Sequence, residues 1–117
     1  MTIIERLKLE LNHKDYFEDT DLTVFLNENE LTPTDEYVKL TMQRALIITV
    51  IDVLEAICND VDIMRTVADA TTGLTVNDAY KLMQDRIQDL KVKVSNISLP
   101  GETTEFTNIG VLFSARR

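Results

Sequence analysis

Hydrophobic residues recur every three or four positions through most of this chain, which is the spacing of one helix face. The first such segment predicts a helix over about residues 3 to 11. Its shared apolar face consists of Ile4, Leu7 and Leu11. Thr2 and Glu5 stand three residues apart at the start of this segment. In this capping-box spacing, each side chain can accept a hydrogen bond from the other residue's backbone N–H.

Two further helix starts are indicated downstream. A short helix is predicted from Asp21 to about Asn29, with Thr20 as its N-cap. The next helix is predicted to start at Thr32 and Pro33. Thr32 would cap it, and Pro33 would take the first helical position, where its missing N–H costs nothing.

The helix that follows Pro33 is long and apolar on almost every side. We expect three of its residues, Arg44, Asp52 and Glu55, to form a narrow solvated strip. The other positions form a broad apolar face that consists of Tyr37, Leu40, Leu46, Ile47, Val50, Ile51, Val53, Leu54, Ile57 and Cys58. This pattern is typical of the central helix of a bundle, and it predicts a buried, unreactive role for Cys58.

The last helix is predicted to begin at Thr75, with Asp78 as its capping partner. Between the two long helices, residues 59 to 73 predict one or two helical turns and then a loop. The last helix carries a seam spaced by alternating fours and threes, which must pack against another helix. The residues of the seam are Val76, Tyr80, Met83, Ile87, Leu90, Val94 and Ile97.

The character of the chain changes after Asn96. Pro100 and Gly101 signal a turn, and residues 102 to 117 have no helical periodicity. An extended segment has unpaired backbone groups, so it needs a sheet edge on its own domain or on a partner. A β-hairpin folded back on the bundle is the alternative. The candidate partner-binding residues in this segment are Phe106, Ile109, Val111, Phe113, Arg116 and Arg117.

These patterns predict a mainly α protein. We expect a small bundle of about four helices over residues 1 to 97, with a long central helix. Residues 98 to 117 would form an extended or β-hairpin C-terminal tail that serves as a docking segment. Arg116 and Arg117, together with Lys91 and Lys93, could form a basic end that touches an acidic protein surface, or they could be merely solvated.

The composition of the chain narrows the range of functions that it can have. The chain has 117 residues and a net charge of −8, which disfavours binding to nucleic-acid phosphates. One cysteine, one histidine (His13) and three isolated glycines leave little for a catalytic centre, a metal site or a phosphate loop. We therefore expect no enzyme, no cofactor and no metal. The absence of a long apolar run predicts an intracellular, soluble protein without membrane association.

Charge is distributed unevenly along the chain. Residues 1 to 36 hold ten acids and three bases, a net charge of −7, whereas residues 75 to 117 hold five acids and six bases, a net charge of +1. Head-to-tail stacking of such chains would generate a ring, although an acidic face is more often simply solvated.

The order of these parts resembles the head-tail connector, or adaptor, proteins of tailed bacteriophages and prophages. The resemblance rests on the run Tyr16-Phe17-Glu18-Asp19-Thr20-Asp21-Leu22, the Thr32-Pro33 start, the Ala45-Leu46-Ile47 stretch and the run Leu74-Thr75-Val76-Asn77-Asp78-Ala79. An extended tail closes the chain, as in those proteins. The resemblance covers most of the chain. It concerns the layout and size of the parts, and no motif in it is diagnostic of the family.

The resemblance implies a virion assembly protein. Such a protein attaches to the portal, forms a homo-oligomeric ring there and extends the DNA channel toward the tail, docking through its C-terminal segment. Its partners would be portal and tail proteins, and it would occupy the host cytoplasm during assembly and then the virion. The alternative is a regulatory or adaptor module that acts as a monomer and binds another protein through its helices.

Overall fold

The computed structural model describes residues 1–70 and 75–97. They form five α-helices: α1 (Ile3–Glu10), α2 (Asp19–Glu28), α3 (Lys39–Cys58), α4 (Val61–Ala70) and α5 (Val76–Ser95). The predicted mainly α bundle is confirmed, with one helix more than expected. The predicted tail, residues 98 to 117, lies outside the described residues.

Helix α3 is the centre of the bundle, because it packs against all four other helices. Its buried residues are Leu46, Ile47, Thr49, Val50, Ile51, Val53, Leu54 and Ile57. The strip predicted to be solvated is half-buried at Arg44, Asp52 and Glu55. The neighbouring helices therefore cover α3 more completely than its sequence indicates.

The other helices each contribute apolar side chains to one continuous core around α3. Ile3 and Leu7 come from α1, Leu22 and Leu26 from α2, Met64 and Val67 from α4, and Ala79 and Ile87 from α5. Short helices such as α1 and α2 are marginal alone, so their stability depends on this packing. Among the described residues, no helix is long and apolar enough to cross a bilayer.

The predicted N-caps Thr2 and Thr75 are confirmed, and Thr2 forms the complete capping box with Glu5. The Thr2 backbone N–H donates to Glu5 Oε1 at 2.7 Å, and the Glu5 N–H donates to Thr2 Oγ1 at 3.3 Å. These hydrogen bonds from Thr2 stabilise the charged carboxylate and lower the pKa of Glu5. At the start of α5, the Asp78 N–H donates to Thr75 Oγ1 at 3.1 Å. Local capping chemistry therefore fixes the starts of α1 and α5.

The predicted helix start at Thr32 and Pro33 is wrong. Residues 32 to 35 form a turn in which the Asp35 N–H donates to the Thr32 carbonyl at 3.1 Å. Helix α3 begins only at Lys39. The fixed φ of proline suits the second position of a β-turn as well as the first position of a helix, so the local signal is ambiguous.

The carbonyl groups of this turn accept hydrogen bonds from the start of α1, and this explains why no helix begins at Thr32. The first backbone N–H groups of any helix lack partners inside that helix. In α1, the Ile3 N–H donates to the Asp35 carbonyl at 2.9 Å, and the Ile4 N–H donates to the Pro33 carbonyl at 3.1 Å. A helix from Thr32 onward would use those carbonyls internally and leave the start of α1 without them.

Two other boundaries differ from the predictions. Helix α2 begins at Asp19, so Thr20 lies inside its first turn and does not cap it. Helix α4 is a full ten-residue helix rather than one or two turns. Asp60 caps α4, because its Oδ1 accepts hydrogen bonds from the N–H groups of Asp62 and Ile63 at 2.9 and 3.1 Å.

Some predicted core positions are exposed. Leu40, placed on the apolar face of α3, is 77% exposed, and Tyr80, placed on the α5 seam, is 43% exposed. Further along the seam, Met83, Ile87, Leu90 and Val94 do pack on the core. Cys58 is half-buried rather than fully buried, and this burial is the main cause of a raised thiol pKa.

Helix α2 ends in a Schellman motif that lacks the usual glycine. The Leu31 N–H donates to the Leu26 carbonyl at 2.9 Å, and the Glu30 N–H donates to the Asn27 carbonyl at 3.0 Å. Glu30 adopts a left-handed conformation with φ of 63°. This conformation strains a residue with a Cβ atom, whereas glycine adopts it freely. Leu31 is buried behind the motif, so the backbone strain is balanced by packing.

Replacing Leu54 with alanine should lower the free energy of unfolding by about 2–5 kcal/mol, because the change leaves a cavity in the core. Leu54 is 2% exposed. The matched control is Leu40→Ala on the same helix, which should change stability by less than about 0.5 kcal/mol. Urea unfolding followed by circular dichroism measures both, and equal losses would contradict the assignment of α3 as the central helix.

Replacing Glu30 with glycine should raise the free energy of unfolding by about 0.5–1 kcal/mol. Glycine removes the backbone strain of the left-handed conformation, and this gain outweighs the extra conformational entropy that glycine loses on folding. Glu30→Gln tests whether the removed charge is responsible and should have a much smaller effect. Glu28→Gly, inside the last turn of α2, should instead cost about 1 kcal/mol. A destabilising Glu30→Gly change in the same unfolding assay would contradict the strain at this position.

Candidate functional site

The six tail residues predicted to bind a partner, Phe106, Ile109, Val111, Phe113, Arg116 and Arg117, lie outside the described residues. The surface from which the tail departs is described, and it ends at Ile97. Of the two lysines predicted to extend the basic end, Lys91 forms an ion pair with Glu55, with Nζ 3.2 Å from Oε2. Lys93 is exposed. The described residue closest in sequence to the predicted tail is therefore Ile97, just after the end of α5.

The first turns of α3 are the most exposed apolar part of this region. Val38, the N-cap residue of α3, makes no side-chain capping bond and is 45% exposed. Lys39, Leu40 and Thr41 are exposed, and burial becomes continuous only from Leu46. Leu40 is the most exposed large hydrophobic residue among those described. The first turn of α3 thus lies outside the core in which the middle of the helix is buried.

A cleft of about 390 Å³ lies between the start of α3 and the end of α5. We call it the tail-side cleft, and its lining residues are Lys39, Leu40, Gln43 and Ile97. Ile97 is the last described residue of the chain, and it also packs against the core. The last described residue of the chain therefore lies at a cleft in which the apolar side chain of Leu40 is exposed to solvent.

A second cleft, of about 400 Å³, lies on another flank of the same α3 turns. We call it the loop-side cleft, because it is bordered by the loop after α2. Its lining residues are Asn29, Glu30, Leu31, Thr41, Met42, Arg44, Ala45 and Ile48. The start of α3 therefore forms a ridge between two clefts, which gives a partner grooves on either side of one exposed helix segment.

A polar network holds the loop-side cleft in place. The Asn29 side-chain amide donates to Thr49 Oγ1 and to Asp52 Oδ2, each at 3.0 Å. Thr49 is fully buried, and its hydroxyl donates to the Ala45 carbonyl at 2.8 Å. These bonds join the end of α2 to the middle of α3. The cleft is therefore bordered by a hydrogen-bonded junction between two helices.

The two side chains of the candidate reactive types, His13 and Cys58, lie apart on the described structure. His13 is exposed in a left-handed stretch after α1. Burial raises the pKa of the Cys58 thiol, which lowers the fraction present as reactive thiolate. Across residues 1–70 and 75–97, no three His, Cys, Asp or Glu side chains converge as a metal site would require.

Sequence reasoning did not find this surface. Leu40 was placed with the core because its spacing from Ile47 and Ile51 is helical. Spacing reports which face a residue occupies but not where along the helix the covering elements stop. Comparison of the chain with protein-family models, with curated proteins and with solved structures found no match.

Replacing Asn29 with alanine should lower the free energy of unfolding by about 1–2 kcal/mol, because the half-buried Asp52 carboxylate loses its amide donor. Asn27→Ala provides the control, since Asn27 is exposed on the last turn of α2. Thermal unfolding of both variants measures the difference. A loss from Asn29→Ala no larger than that from Asn27→Ala would show that the network does not hold the two helices together.

Proposed function

We propose that this protein is a structural assembly protein of the phage head-tail connector type. In this role it attaches to a portal, forms a homo-oligomeric ring there and extends the DNA channel toward the tail. The order and lengths of its helices, with a long central helix and a terminal segment after α5, support the proposal through their resemblance to that family.

The observation that carries the proposal is the position of the tail-side cleft. Ile97, from which the terminal segment continues, lines this cleft beside the exposed Leu40. The segment itself carries Phe106, Ile109, Val111 and Phe113. Apolar anchors of this kind supply most of the affinity of a protein interface when they enter a partner's pockets. In our proposal the anchors bind the portal, and Leu40 becomes buried within the same interface.

Charge is consistent with a channel role. The chain carries 20 acidic and 12 basic residues. Helix α2 has acidic residues Asp19 and Asp21 in its first turn and no basic residue in its last turn. An acidic wall repels DNA phosphates, so DNA would pass without adhering. Arg116 and Arg117 would instead contact acidic protein surface on the partner.

An adaptor module that acts as a monomer is the second candidate, and one observation favours it. The exposed Leu40 and both clefts belong to the helical bundle itself. A partner helix could therefore bind the start of α3 without any contribution from the terminal segment. The two proposals differ in whether residues 98 to 117 are required for binding.

Co-purification from a phage-induced lysate tests the proposal. The full chain should recover portal or tail proteins, identified by mass spectrometry, whereas a chain ending at Ile97 should recover neither. The full chain with both Phe106→Ser and Phe113→Ser should fail in the same way without any truncation. Circular dichroism of each variant checks that the helices are retained, since the described core lies entirely within residues 1 to 97.

Leu40→Ser adds a test of the surface beside the tail. It should weaken recovery of the same partners by at least about tenfold, as loss of one buried apolar anchor does. Val24→Ser is the matched control, because Val24 is 56% exposed on α2, away from both clefts. Equal recovery of one partner by the full chain and the shortened chain would overturn the connector proposal and favour the adaptor.

A further inference from the structure

A separate pocket, of about 310 Å³, opens where the loop after α1 meets the first turns of α5. Its floor is apolar and includes Leu11, Leu54, Val67 and Ala79, all of which are buried. This volume is at the lower end of the range for small-molecule pockets, about 300–1,000 Å³. The pocket shares no residue with the two clefts beside α3.

Four residues that line this pocket have side chains able to donate hydrogen bonds: Asn12, Lys14, Tyr16 and Arg86. Lys14 is exposed and makes no ion pair within the described part of the chain. Tyr16 is half-buried, and burial raises the pKa of its phenol while the charge of Arg86 opposes this effect. Tyr16 therefore stays protonated at neutral pH, as a donor close to a cation.

Arg86 uses only part of its donor capacity on the protein. Its Nη2 donates to the backbone carbonyl of Glu10 at 2.6 Å and lies 3.9 Å from Glu10 Oε2. A guanidinium has five N–H donors, and within the described residues no other acceptor is bound to this one. The carbonyl bond restrains one end of the guanidinium beside the pocket that Arg86 lines, which leaves its other N–H groups for a ligand.

We propose that this pocket binds a carboxylate carried on an apolar body. A carboxylate is acceptor-only and can take hydrogen bonds from several donors at once. The ammonium and guanidinium supply the opposite charge, and the phenol supplies a neutral donor. The floor of Leu11, Leu54, Val67 and Ala79 takes the apolar part of the ligand. None of the described residues that line the two clefts beside α3 lines this pocket, so the proposal does not rest on the connector role.

Chemical-shift titration of the full-length protein with octanoate tests this site. Octanoate should bind with a Kd of about 10 mM or tighter, from the affinity that about ten non-hydrogen atoms supply. The shifts should centre on residues around Lys14 and Arg86. Octan-1-ol, which has the same chain without the charge, and acetate, which has the charge without the chain, should each bind at least about tenfold more weakly.

Two variants test the donors without disturbing the core. Lys14→Gln and Tyr16→Phe should each weaken octanoate binding by at least about threefold, whereas Lys81→Gln, on an exposed position of α5, should leave it unchanged. Equal binding of octan-1-ol would overturn the proposal, and so would equal weakening by Lys81→Gln, because general charge would then explain the affinity. Tighter binding of N-acetylphenylalanine than of its amide would support the site and identify a peptide chain end as the carboxylate source.

Discussion

The structure depends on one constraint, which is that helix α3 is apolar around most of its circumference and must be covered on every side. A helix of this kind cannot lie on a surface, so the chain supplies four other helices to surround it. α1 and α2 are short and gain their stability from this contact rather than from their own hydrogen bonds. The covering elements stop before the first turns of α3, and that is why its exposed apolar surface lies where it does.

Among the described residues, the buried polar side chain of Thr49 has hydrogen-bond partners on both sides. Thr49 is fully buried, yet its hydroxyl reaches the Ala45 carbonyl one turn earlier and also accepts from Asn29. Burying a hydroxyl without a partner is costly, so these bonds make the position tolerable. They also fix where the end of α2 meets α3. These polar contacts thus specify how far α2 and α3 are shifted along each other, which apolar side chains alone would specify less tightly.

Local signals in the sequence predicted those features that depend on neighbouring residues. The N-cap bonds at Thr2 and Thr75 need only residues three positions apart, and both are present. Pro33 was misread because its carbonyl serves α1, which is distant in sequence. The exposure of Leu40 likewise depends on where other helices end, and spacing along α3 cannot encode that. The donors around Arg86 were missed for the same reason, since loop and helix meet there only in the folded chain. The tail anchors remain predictions.

The bond between Arg86 and the Glu10 carbonyl joins residues 76 positions apart. It satisfies a carbonyl in the last turn of α1, while turn residues 33 to 35 satisfy N–H groups at the beginning of that helix. The carboxyl end of α1 is also closed locally, because the His13 N–H donates to the Lys8 carbonyl at 2.9 Å and the Asn12 N–H donates to the Leu9 carbonyl at 3.1 Å. These local bonds close short loops, whereas the Arg86 bond closes a very long one, which favours a late step in folding. A contact made late in folding therefore adds to a helix end that its own neighbours already close.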